Sequence, residues 1–387
     1  MSSRKKIKPE AKKTPGDTKD RPWEVRIWSG MTPGGLWRLL WRNRFLVTPT
    51  RIGMALILAV LSVLNVLLWM IQTALYGRKI EKTELCEAPV FVLGHWRSGT
   101  TLLHELLVTD PRHTYPDTFA CFAPNHFLVS GWLFKWWLRF LLPSRRPMDN
   151  MRVSWDRPQE DEWAMCNMGI PSPYLWLAFP NRPRPYQEYL DLRNVPAAAL
   201  ARWKRAFVRF LKCLTVQSPR RIVLKSPQHT CRIPVLLELF PDARFVHIVR
   251  DPYVIFPSTI RTWHRLATFH GLQKPNGKGM EEFVFATFNH MYEVFEEDRR
   301  LVDPSRFCEV RFEDLVADPV GRMRIIYEQL QLGDFEVARP AMEAYAERTR
   351  DYKVNRYELT PETREEIGRR WETFSKRYGY ETVAHGP

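Results

Sequence analysis

The pattern of apolar and polar positions changes three times along the 387 residues. The first 22 or so are rich in lysine and almost free of large apolar side chains, so they are expected to stay disordered. Residues 23–50 interleave Trp23, Trp28, Trp37 and Trp41 with Arg26, Arg38, Arg42 and Arg44. That pairing suits the headgroup region of a bilayer, or else a helix packed on the protein. Residues 52–76 carry no charge, and only Ser62, Asn65, Gln72 and Thr73 interrupt the apolar run with polar side chains. A helix of that length can cross a hydrocarbon core of about 30 Å, or lie in one leaflet. The run begins after fifty residues and lacks a small-residue cleavage site, which argues against a removed signal peptide. Basic residues before it would hold the N-terminus in the cytoplasm, while Arg78, Lys79 and Lys82 after it blur that orientation.

From residue 89 onward the pattern becomes that of alternating strands and helices. The runs 90–93, 221–224 and 244–249 are short and apolar, rich in β-formers, as expected of strands buried on both faces of a parallel sheet. Each ends in a polar turn and leads into a helical pattern. A further helix is expected over about 279–301 and a strand near 307–312, with more helices beyond, and the segment 197–217 reads as a helix with a basic face. Residues 142–196 are dense in Pro, Arg and aromatics, which predicts loops and short helices folded over one end of the sheet. The preceding stretch 126–142, HFLVSGWLFKWWLRFLL, reads as a lid, an interfacial helix or a core helix. Three parts follow: a basic, partly disordered region 1–51, a transmembrane or membrane-embedded helix 52–76, and an α/β domain 86–387.

The formal charge of +15 is uneven: 13 Lys/Arg face 4 Asp/Glu in the first 51 residues, so nine of the fifteen excess charges lie there. A basic tail before an apolar helix favours an anionic membrane surface as partner, and no motif supports nucleic acid. The 6 cysteines are scattered without a CxxC pair and read as buried thiols, and no ligand spacing suggests a metal.

The chemistry concentrates at strand ends. Gly94-His-Trp-Arg-Ser-Gly-Thr-Thr follows the first strand and opens a helix, and free backbone N–H groups at such a turn attract a phosphate. The spacing is that of a P-loop, but Thr100 stands where a nucleotidase has its lysine, and the loop's cation is Arg97. Lys225 and Arg250 end the next two strands. Ligands of open parallel sheets sit at the carboxyl ends of strands, so the three cations are expected around one crevice.

With the RSGTT loop and the RDPYVIFPS stretch together, residues from about 89 to 380 resemble sulfotransferases that use 3′-phosphoadenosine 5′-phosphosulfate, closest to bacterial-type and tyrosylprotein-like members. The resemblance implies a P-loop three-layer α/β sandwich with a central parallel sheet. It implies that Arg97, Ser98, Gly99, Thr100 and Thr101 hold the 5′-phosphosulfate, and that Arg250 and Ser258 hold the 3′-phosphate. It gives Lys225 the place beside the bridging oxygen, with Arg97 sharing the developing charge, and no metal is required. Tyr357 and Lys353 fall where the family closes a C-terminal segment over the nucleotide.

The acceptor hydroxyl needs a base. The resemblance makes Asp117 the first candidate, since tyrosylprotein-like members place a glutamate close to it after the first helix; Glu160, opening the acidic run 160–162, is the second, and His104 and His229 are further candidates. The expected function is a membrane-attached sulfotransferase acting on a hydroxyl of a carbohydrate, lipid or tyrosine. The alternatives are a P-loop nucleotide kinase and an inactive membrane scaffold of the same fold.

Overall fold

The structure, a computed structural model, describes residues 24–137, 154–350 and 357–380. The expectations for residues 1–22, for Lys353 and for the end of the 126–142 stretch lie outside the described residues. Five parallel strands form the centre: Val90–Leu93 (β1), His113–Thr114 (β2), Arg221–Lys225 (β3), Arg244–Val249 (β4) and Phe307–Arg311 (β5), in the order β2-β3-β1-β4-β5. Strand β1 is fully buried because both of its faces are covered. Its side chains alternate between two apolar clusters, as the strand period requires. Val90 and Val92 pack with Leu103, Leu106 and Met323, whereas Phe91 and Leu93 join the larger cluster on the opposite face. The two-residue β2 is too short to have a legible pattern.

The helices that position the site are Pro33–Arg42 (α1), Ile52–Lys82 (α2), Thr100–Leu107 (α3), Thr118–Phe122 (α4), Phe127–Trp137 (α5), Asp161–Asn167 (α6), Ala197–Gln217 (α7), Ile233–Leu239 (α8), Pro252–His270 (α9) and Met280–Asp298 (α10). The expected helix after β3 is broken: a 3-10 turn, Pro227–Cys231, precedes α8. Proline at the start of both pieces supplies the reason. The region after residue 154 is indeed short elements, with 3-10 turns at Pro173–Ala178 and Gln187–Tyr189.

The N-terminal segment is not simply a surface element. Trp28 is buried and its indole donates to the His270 carbonyl at 2.8 Å. Arg26 and Arg51, also buried, donate to the carbonyls of Phe269 and Thr268, the open C-terminal end of α9. Cations there satisfy orphan carbonyls and the helix dipole, so these two arginines serve packing. Arg38, Arg42, Arg44, Trp37 and Trp41 stay exposed.

Helix α2 extends past the apolar run to Lys82 and lies along the domain. Its buried stripe, Met54, Leu58, Ser62, Asn65, Gln72, Gly77 and Ile80, runs from one end to the other. Three of the four polar interruptions in the apolar run are on it. Asn65 donates to the carbonyls of Ser29 at 2.8 Å and Met31 at 3.0 Å, and accepts from His126 Nε2 at 3.0 Å. Gln72 accepts from the Leu128 N–H at 2.8 Å. The cysteines are free; five are buried as expected and Cys86 is exposed.

Candidate functional site at the strand ends

The loop after β1 is shaped by what cannot carry a side chain. Gly94 sits at φ +144°, where a Cβ would stand 2.7 Å from the Ile248 carbonyl oxygen. Gly99 sits at φ +106°, and a Cβ there would come within 2.3 Å of the Phe312 ring. Between them Arg97 adopts φ +71°, a left-handed conformation that costs a non-glycine residue about 1–2 kcal/mol. The Gly94 N–H is tied to Thr230 Oγ1 at 2.8 Å, and the Ser98 hydroxyl donates to the His95 carbonyl at 2.7 Å. Helix α3 then starts at Thr100, and the N–H groups of its first turn have no acceptor within the helix. The result is a rigid turn that presents amide donors, the geometry of an anion cradle.

Two further strand ends reach this turn. The Arg250 guanidinium, at the end of β4, donates to the Arg97 carbonyl at 3.0 Å and lies 4.0 Å over the Phe312 ring. Arg97 Nε donates to Ser258 Oγ at 2.9 Å, from the second turn of α9, and Tyr357 also donates to Ser258, at 3.3 Å. Arg97, Arg250 and Ser258 therefore occupy one corner of the crevice.

Lys225 ends β3 level with Val92. It is buried, and its ammonium donates to Glu160 Oε1 at 2.7 Å. The other Glu160 oxygen accepts from the Tyr174 hydroxyl, which itself accepts from the Trp96 indole at 2.6 Å. Because Trp96 belongs to the loop, the chain Lys225–Glu160–Tyr174–Trp96 joins β3 to the residue beside Arg97. Burial, with the Glu160 charge next to it, pushes the Tyr174 hydroxyl well above its ordinary range, so it stays a proton donor.

The acidic run is not a solvated face. Each of its three residues meets a different group at the end of β3 or just after it: Glu160 meets Lys225, Asp161 meets His229 at 2.8 Å and Ser226 at 2.9 Å, and Glu162 meets Arg232 at 2.6 Å. Burial raises the Asp161 carboxyl, but His229 outweighs it and holds the group below the usual carboxylate range. Thus His229 is committed to Asp161. His104 is also structural: its ring faces the Val223 carbonyl at 3.1 Å, and burial, with the charge of Lys225, brings it down to about 3.

Asp117 lies close by, bridged in antiparallel fashion to Pro158, two residues before Glu160. Its Oδ1 accepts from the Ala120 N–H at 2.7 Å and caps α4. The structure therefore gives Asp117 a capping role and brings Glu160 against Lys225. Among the described residues no group of three His, Cys, Asp or Glu side chains is arranged to hold a metal.

Sequence reasoning passed over Trp96, Tyr174 and Phe312. Trp96 had a signal, since a large ring is out of place in a tight anion-binding turn. Tyr174 lies among the prolines and aromatics of an aperiodic segment, and Phe312 is the first residue after β5; neither has a pattern that singles it out.

Comparison with known proteins supplies the chemistry. The sulfotransferase family matches residues 89–336. The chain is 46% identical over 361 residues, 93% of each chain, to the omega-hydroxy-beta-dihydromenaquinone-9 sulfotransferase Stf3 of Mycobacterium bovis, and equally to that of Mycobacterium tuberculosis. Its fold is similar to the crystal structures of sulfotransferase STF9 from Mycobacterium avium, at TM-score 0.66 and 20% identity over 91% of this chain and 97% of that one, and of STF1 from Mycobacterium tuberculosis, at 0.59 and 20% over 89% and 90%. The kinase alternative, already disfavoured by Thr100, falls with these matches. A strand-end crevice that gathers cations around an RSGTT turn, on a chain matched along most of its length by such enzymes, belongs to the sulfotransferase family, and the protein is a sulfotransferase.

Proposed function

We propose that the protein transfers a sulfuryl group from 3′-phosphoadenosine 5′-phosphosulfate to the terminal hydroxyl of a long apolar lipid, working at a membrane surface. The observation that carries the reading is the Lys225–Glu160 pair, a buried cation and a carboxylate 2.7 Å apart, joined through Tyr174 and Trp96 to the anion cradle. The amide donors of the turn and of the start of α3 suit the phosphosulfate end of the nucleotide, and the glycines at 94 and 99 let the turn pack against Ile248 and Phe312 where a side chain would clash. Residues 97–101 would hold that end, and Arg250 with Ser258 the 3′-phosphate. The nucleotide brings an activated sulfuryl group. Lys225 and Arg97 stabilise the charge that gathers on the bridging oxygen as the S–O bond breaks. Glu160 accepts the proton of the acceptor hydroxyl as the new O–S bond forms. We prefer Glu160 to Asp117 for this step because Glu160 lies directly against Lys225, whereas Asp117 caps α4.

The lipid acceptor rests on the similarity to Stf3, whose name gives an omega-hydroxylated dihydromenaquinone as its substrate. The membrane setting rests on α2, whose outward side is almost wholly apolar. Two measurements test the reading. Calorimetry should show tight binding of 3′-phosphoadenosine 5′-phosphate, and Arg250→Ala should weaken it far more than it weakens binding of AMP; equal losses would remove the 3′-phosphate assignment. Mass spectrometry of products from the wild type and Lys225→Ala, over a panel running from a tyrosine peptide and a sugar to an omega-hydroxylated prenyl quinone, should find sulfation of the lipid by the wild type alone. Sulfation of the sugar or peptide in its place would refute the acceptor class.

A further inference from the structure

The outward side of α2 exposes Leu56, Val60, Val63, Leu67, Met70 and Leu75 over most of the helix. It does not stand alone. Helix α5 packs against α2 and exposes Trp132 (78%) and Leu133, and α1 packs beside the start of α2. At that end Trp37, Trp41 and Phe45 form an exposed cluster with ring centroids 5.3–6.2 Å apart. The rim is cationic at both ends: Arg42 and Arg44 beside the ring cluster, Arg78, Lys79 and Lys82 at the other. Residues 25–80 contain 7 Lys/Arg and no Asp or Glu.

Geometry decides how such a surface meets a bilayer. A helix crossing the hydrocarbon must be surrounded by lipid or by other apolar elements. Here the buried stripe of α2 is covered by the domain from Met54 to Ile80, and α7, one of its covers, carries Arg202, Lys204, Arg205, Arg209 and Lys212. Lys212 donates to the Glu81 carbonyl at 2.9 Å, just inside the C-terminal end of α2. Turning α2 along the membrane normal would carry those charges and the domain's irregular backbone into the hydrocarbon. Laying it flat puts only its apolar side there and brings both basic ends to the headgroups together.

We propose that α2 lies in the plane of a single anionic leaflet, and that α1 and α5 complete the seat with Trp37, Trp41 and Trp132. The protein is then held on one side of the bilayer and crosses nothing. This rests on the membrane setting proposed above and specifies its form. Helix α5 packs on α4 and α4 on α6, which begins next to Glu160, so one layer of short helices separates the lipid from the reacting carboxylate.

Full-length protein bound to vesicles tests the geometry. In a Cys86→Ser background, an environment-sensitive fluorophore is placed singly at Val60→Cys, Leu67→Cys and Leu75→Cys, and its depth is read by quenching with lipids brominated at different acyl positions. In-plane seating gives one shallow depth at all three. A deep reading at position 67 flanked by shallow ones at 60 and 75 means a crossing helix and overturns the proposal. The variant Leu67→Glu/Leu75→Glu should partition about a hundredfold less onto vesicles containing phosphatidylglycerol, as expected of two carboxylates placed in acyl chains. The wild type should bind such vesicles at least about tenfold better than phosphatidylcholine vesicles. If the double variant keeps its vesicle binding and instead turns a dimer into a monomer in sedimentation, a second copy covers the face and the proposal fails. Binding of 3′-phosphoadenosine 5′-phosphate shows that the variants are folded. Sulfation of a detergent-dispersed acceptor reports the catalytic reading separately from the membrane one.

Discussion

Lys225 and Leu75 depart from the habits of their residue types in opposite directions. The lysine side chain is 4% exposed and the leucine 69% exposed. A buried cation is tolerated when a partner neutralises it, and Glu160 does so here. An exposed leucine is unremarkable alone, but a whole helix side of them is a surface that water serves poorly. The crevice therefore compensates its exception within the chain, whereas the outer side of α2 leaves its exception to be covered from outside. On the proposed reading the partnered lysine serves the chemistry, and the exposed apolar side with its basic rim meets a lipid phase.

The largest effect that would break this comparison is at the lysine. Lys225→Ala should lower kcat by about a thousandfold, the loss typical of removing one electrostatic contact to a transition state, with the Kd for 3′-phosphoadenosine 5′-phosphate changed much less. A loss confined to nucleotide binding would reduce Lys225 to a phosphate contact. Next comes the inner side of α2. Asn65→Leu removes three hydrogen bonds and strands one buried and one half-buried carbonyl, so urea unfolding should show a loss of about 2–3 kcal/mol, whereas Leu75→Asn on the outer side should stay within about 0.5 kcal/mol in detergent. Similar costs at both positions would mean that the two sides of the helix are not distinct.

Acid should find the buried histidines. Burial, opposed by a hydrogen bond to the Trp96 carbonyl, brings His95 down to about 3, and His104 falls to about 3 as well. Both rings regain a value near 6.5 on unfolding, so the unfolded chain takes up protons that the folded one refuses. Their stabilising share is complete above pH 6.5 and drains away as pH falls from there toward 3. The expected cost is about 2 kcal/mol per ring between pH 7 and 5, read as a falling Tm that His104→Asn makes shallower. A Tm independent of pH over that range would contradict their burial as neutral rings. The smallest effect is at Tyr174→Phe, which removes a donor from Glu160. It should lower kcat about tenfold and leave the KM for the nucleotide unchanged. A change in KM alone would place Tyr174 in nucleotide binding.

Much of this was legible because local chemistry settles it. A charge-free strand such as 90–93 has few places to go but the centre of a parallel sheet, and the RSGTT turn announces an anion by its glycines and hydroxyls. The contact between Arg250 and Arg97, with Lys225 at the end of the neighbouring strand, accords with the rule that ligands meet strand ends. What escaped depends on contacts between distant segments. The acids at 160–162 could have been a solvated face; only the arrival of the segment after β3, some 65–70 residues later, buries them. The sequence ranks Asp117 ahead of Glu160, whereas the fold sets Asp117 to capping α4 and Glu160 against a lysine. For the same reason Arg26 could read as a headgroup contact, since the open end of α9 more than 200 residues later is invisible in the local pattern.

Trp28, Met31, Leu36, Leu39, Met54, Leu58 and Ile80 share one apolar cluster with Phe91, Trp163, Phe210 and Trp263. The N-terminal region therefore cannot be detached like a tether. A shortened chain beginning at residue 83 would bare the inner surface that these residues cover and leave α9 with uncapped carbonyls, so anyone seeking a water-soluble form should repaint the outside of α2 with polar residues and keep the helix itself.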